Sequence, residues 1–129
     1  MHFSELLTYV PRHKHDLETA NAAVALGWPA VEPITPQLLE WLQDCNWPVA
    51  NILAPFFAKV GSGLAPYIRS IFQTDDDVWK YWIIQRVVAE SPALIQFLAH
   101  ELKRIALSPT VGERIDEVDL EACEVLKNL

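Results

Sequence analysis

A chain of 129 residues, 51% of them apolar and 10% aromatic, has the length of one ordinary domain and enough hydrophobic mass to build a core without staples. That composition excludes an intrinsically disordered chain, which is too polar to offset the entropy lost on ordering. A formal charge of −7 repels phosphate backbones and argues against general nucleic-acid binding.

The opening Met1-His2-Phe3-Ser4-Glu5 lacks the basic and apolar runs of a secretory signal, and no apolar stretch approaches the roughly 20 residues that span a bilayer. Cys45 and Cys123 form no CxxC pair and read as thiols rather than as a disulfide. Together these features predict a cytoplasmic protein that does not enter a membrane.

Apolar residues three and four apart predict helices near 3–9, 15–26, 36–43, 47–59, 64–73, 76–89, 92–107 and 114–127, while strand signals are scarce. Asp16 is placed to cap the helix whose stripe is Leu17, Ala20 and Val24, and Gly27 marks its end. Pro29 and Pro33 keep the next stretch from forming a regular helix. Thr35-Pro36 pairs a hydroxyl cap with proline at the first helical position, and Asn46-Trp47-Pro48 offers a similar start. Pro55 should kink or split the helix that follows, and Gly61 and Gly63 mark a further break. Thr74-Asp75-Asp76-Asp77 supplies both a cap and negative charge for a helix dipole. In the helix it opens, Val78, Trp79, Tyr81, Trp82, Ile83, Ile84, Val87 and Val88 cover nearly every side, the pattern of a buried rod. Ser91-Pro92 caps the next helix, and Pro109 and Gly112 fall in a loop before the last one.

The sequence also repeats itself. At an offset of 32, Asp44 falls on Asp76, Trp47 on Trp79, Leu39 on Ile71 and Ile52 on Ile84. Asp16-Leu17-Glu18-Thr19-Ala20 and Asp116-Glu117-Val118-Asp119-Leu120 are looser copies. Each unit reads as a helical hairpin that cannot bury its apolar face alone and therefore stacks. The expected fold is all-α, a HEAT-like α–α superhelix of about three stacked hairpins in a single domain spanning residues 1–129.

Pro11-Arg12-His13-Lys14-His15-Asp16, Gly27-Trp28-Pro29, Trp41-Leu42-Gln43-Asp44, Asn46-Trp47-Pro48-Val49 and Asp75-Asp76-Asp77-Val78-Trp79-Lys80-Tyr81-Trp82 resemble the signature blocks of a small bacterial family, a domain of unknown function. The resemblance implies a HEAT-like fold and brings no functional residues with it. His13 departs from the acidic residue expected before Lys14-His15-Asp16.

Two histidines one residue apart, followed by Asp16, have the donor types of a metal site, but no second His or Cys cluster follows, and a capping role for Asp16 explains the segment. Asp75-Asp76-Asp77 lacks the loop and terminal Glu of a calcium site. Cys45 has no nearby His, Gly61-Ser62-Gly63 is not followed by GK[ST], and no GxSxG occurs. These readings predict a non-enzyme with no metal and no cofactor.

If the second helix of each hairpin lines a concave face, its polar members Asn51, Asp77, Lys80, Gln85 and Arg86 become candidate contacts, with Tyr81 and neighbouring Trp residues as anchors. The expected function is a protein-interaction module for an unidentified protein or peptide, one version being an immunity-type inhibitor that shields a toxin. The competing readings are a small metal-dependent or small-molecule-binding enzyme using His13, His15 and Asp16, and a domain that self-associates into a homo-oligomer.

Overall fold

Three of the helix starts written into the sequence form as their caps dictate. The computed structural model describes residues Met1–Leu129, which form helices joined by turns and short irregular segments, with no strand. Two compact units, Met1–Phe56 and Phe57–Leu129, make up the chain.

In the first unit, α1 (Phe3–Leu6) runs into a 3-10 turn at Leu7–Tyr9, and α2 spans Leu17–Leu26. The Asp16 carboxylate accepts the Arg12 N–H at 3.0 Å and the Thr19 N–H at 3.2 Å, which caps α2. The Arg12 amide, and then the Thr19 side chain, hold this carboxyl below its ordinary range. Gly27 ends α2 with φ of 81°, a conformation that costs glycine little, while its N–H donates to the Ala23 carbonyl at 3.0 Å. A 3-10 turn at Glu32–Ile34 leads into α3 (Thr35–Leu39), and a further one follows at Glu40–Leu42. Leu6, Ala20, Ala23, Ile34, Leu38, Leu42 and Val49 are buried at the centre of this unit.

Thr35 does not cap. The preceding 3-10 turn puts Ile34 at the cap position and leaves Thr35 helical, its hydroxyl buried without a hydrogen-bond partner. The helix expected from residue 47 begins three residues later as α4 (Ala50–Val60), because Asp44 ties up the segment in a turn. Its side chain accepts the Asn46 N–H at 2.9 Å and its carbonyl the Trp47 N–H at 3.1 Å. Pro55 does not split α4, which continues to Val60.

The second unit holds α5 (Ala65–Phe72), α6 (Asp77–Arg86), α7 (Pro92–Phe97), α8 (Ala99–Leu107), α9 (Val111–Ile115) and α10 (Val118–Leu126). Asp76 caps α6 by accepting the Trp79 N–H at 3.0 Å, and Ser91 caps α7 through the Leu94 N–H at 3.3 Å. α10 packs on α8 and α6, and α5 on α6. Phe57, Leu64, Ile68, Ile83, Ile84, Leu98, Leu102 and Ile105 fill the interior.

Two long helices expected here are each a pair. The rod at 92–107 breaks at Leu98, where ψ swings to 10° although its amide and carbonyl keep their helical partners. The helix expected over 114–127 is divided into α9 and α10, and α9 starts at Val111, within the stretch around Gly112 expected to be a loop. Thr110 and Glu113 form a reciprocal capping box that nucleates α9, and Glu117 in the left-handed region, φ 61°, turns the chain into α10.

The internal repeat survives only in part, since Ile84 is buried whereas its counterpart Ile52 is half-buried. Leu39 and Ile71 are both in the interior. Asp76 caps a helix whereas Asp44 shapes a turn, and Trp79 lies in the first turn of α6 whereas Trp47 precedes α4 and meets Trp41 edge-on at 5.5 Å. The all-helical fold is consistent with HEAT-like hairpins.

Candidate functional site

α6 carries four of the expected contact residues besides Tyr81, and the structure treats them differently. Lys80 was expected on an open face; its side chain is instead buried, the residue only 3% exposed. The reason is α9. The Lys80 ammonium donates to Asp77 Oδ1 at 3.0 Å and to Glu113 Oε2 at 3.1 Å, and Glu113 is itself 0% exposed. Arg104 from α8 grips the same carboxylate with both terminal nitrogens, the Nη2 contact at 2.9 Å, and the Thr110 N–H donates to it at 2.9 Å. Burial pushes the Glu113 carboxyl up, but Arg104, Thr110 and Lys80 outweigh it and leave the pKa at about 2. Opposed charges that are this fully hydrogen-bonded survive burial. Lys80, Asp77 and Glu113 therefore link α6 to α9 in the interior of this unit rather than facing a partner.

The outward side of α6 is different in character. Val78 is 46% exposed, and Tyr81 and Trp82 are half-buried with their rings 5.3 Å apart at 82°. Ile115, 73% exposed at the end of α9, stands across from them, and Asp116 and Glu117 complete a cleft of about 230 Å³. Gln85 lies one turn along, donating to the Tyr81 hydroxyl at 3.2 Å and reaching Glu121 on α10 at 3.5 Å. Burial, then the Glu121 carboxylate, and finally Glu117 push the Tyr81 phenol up from its usual value. Arg86 is half-buried at the C-terminal end of α6. Asn51 is exposed on α4 in the first unit.

Of the residues named from sequence, Tyr81 and Gln85 thus stand together at this face. Val78, Ile115, Asp116 and Glu117 were missed. The signal that could have revealed them is Thr110-Val111-Gly112-Glu113, a hydroxyl followed three residues later by Glu, which announces a helix start just before an exposed corner.

The first unit has a cleft of its own, about 350 Å³, lined by the Trp41–Trp47 pair with Gln37, Glu40 and Gln43. His13 and His15 are exposed, and the His13 Nδ1 accepts the His15 backbone N–H at 3.3 Å. No group of three His, Cys, Asp or Glu side chains converges to hold a metal ion. No helix is long and apolar enough to cross a membrane.

No curated protein matches the chain. The model of one family, described as a domain of unknown function (DUF5071), matches residues 9–126, nearly the whole sequence, and the chain belongs to that family.

Proposed function

We propose that the protein is a non-catalytic protein-interaction module that offers a helical face to a protein or peptide partner. The face is the outward side of α6 with the corner between α9 and α10. The observation that carries this reading is the exposed apolar pair Val78 and Ile115 flanking the Tyr81–Trp82 corner. Scattered apolar residues on a surface need no explanation, but Tyr and Trp are the residue types enriched at interaction hot spots, and here exposed aliphatic groups extend the apolar surface around them. An immunity-type role, shielding a toxin, is one form of this activity, and the charge of −7 supports it when the shielded surface is basic.

The test is capture from the native host with the intact chain and with Val78→Asp and Ile115→Asp variants. Both positions are solvent-exposed, so the melting temperature should hold within a few degrees. A species retained by the wild type and lost with both variants supports the module. Capture profiles identical for all three chains overturn it.

A further inference from the structure

We infer that the cleft beside Tyr81 and Trp82 grips a basic side chain, arginine or lysine, projecting from the partner. This rests on the interaction reading above and names what that face recognises. Two walls of the cleft are aromatic rings set nearly perpendicular, and a cation beside such rings is attracted to their faces. Its floor and rim bring Asp116 and Glu117 to the same place, and neither engages a protein cation. Glu121, one turn along α10, meets only the neutral Gln85 and Tyr81. No Lys or Arg lines the cleft beside these carboxylates. By contrast, Glu113 a few residues away is gripped by Lys80 and Arg104.

The apolar groups have a place in the same scheme. Lysine and arginine carry long aliphatic stems, and Val78 and Ile115 offer exposed surface on which such a stem can lie. A volume of about 230 Å³ is below the range that houses drug-sized ligands and suits one long side chain. A bare metal ion is a poor occupant, since no three carboxylates converge. A second copy of this chain is also disfavoured, because each copy brings a charge of −7. A partner with a basic surface satisfies both the charge and the shape.

Two-dimensional 1H–15N NMR of the full chain tests this with a blocked pentapeptide carrying Leu-Arg-Leu at its centre, and a twin with neutral citrulline for arginine. The expected result is saturable shifts at the Trp82 indole and at the amides of Ile115, Asp116 and Glu117. Affinity should fall at least about tenfold with citrulline, the loss of one charged hydrogen bond. The double variant Asp116→Asn/Glu117→Gln should weaken the arginine peptide comparably; if it does not fold, the citrulline comparison on the native chain decides alone. Equal binding of the twins, shifts elsewhere, or no shifts at all overturn the inference. So do peptide-free shifts of the same residues with protein concentration, which mark self-association. Should the peptide fail while Ile115→Asp still abolishes capture, the basic anchor falls and the interaction module stands.

Discussion

Glu113 is a carboxylate with no solvent exposure, bound by an ammonium, a guanidinium and a backbone amide. Removing its charge strands Lys80 as a buried cation short of a partner, and breaking a buried pair from one side costs about 3 kcal/mol or more. Glu113→Gln is therefore expected to lower the urea midpoint by that equivalent, with little change in slope. The pH dependence has a definite sign. The folded pKa of about 2 lies below the ordinary 4.5, so the unfolded chain binds the extra proton first. The stabilisation is complete above about 4.5 and is lost as pH falls toward 2. Stability curves of wild type and Glu113→Gln should converge across that window, and parallel curves would refute the assignment. From the sequence, Asp16, Asp76 and Ser91 were readable as caps because capping is decided by neighbours within three residues. Lys80 was not readable. Within Asp77-Val78-Trp79-Lys80-Tyr81-Trp82 it looks like the solvated residue of the turn, and what buries it arrives 33 residues later in the chain.

At the scale of the element, α9 decides how this unit closes. Gly112 faces the Asp77 carboxylate so closely that a Cβ added there would collide with it. Helix propensity alone favours alanine over glycine by about 1 kcal/mol. The collision acts the other way, since Asp77 is held by Lys80 and cannot swing aside without breaking that pair. Gly112→Ala is expected to destabilise by about 1–3 kcal/mol, the usual cost of overpacking, and to become neutral or stabilising in an Asp77→Ala background. Denaturant titration of the four chains measures this coupling. The long apolar stripes made most helices legible, because periodicity survives small shifts in boundary. Breaks at Leu98 and at Asp116-Glu117 were not legible, since neither site carries a proline or glycine to announce it. The face at Val78 and Ile115 was hidden for a related reason: the apolar stripe of a continuous helix over 114–127 puts Ile115 in line with the core residues Val118 and Ala122, whereas the break at Asp116-Glu117 leaves it exposed at the end of α9.

For the molecule as a whole, charge and thiol chemistry give readouts independent of any ligand. A surplus of seven negative charges opposes compaction, and raising salt from about 10 mM to about 150 mM shortens the screening length from roughly 30 Å to 8 Å. The melting temperature is expected to rise over that range, and a fall would mean that attractive surface pairs dominate. Neither cysteine is in a disulfide; Cys45 is buried and Cys123 exposed. A thiol reagent should label one equivalent in the native protein and the second only as the fold opens, whereas two equally fast equivalents would show that Cys45 is accessible. The grip of one carboxylate on Lys80 and Arg104 also orders events in time during biosynthesis. The ribosome delivers Lys80 well before Glu113, so a nascent chain halted between them must keep that ammonium wetted and α6 unsealed. The second unit thus completes this ion cluster only once the segment carrying Glu113 has joined α6 and α8.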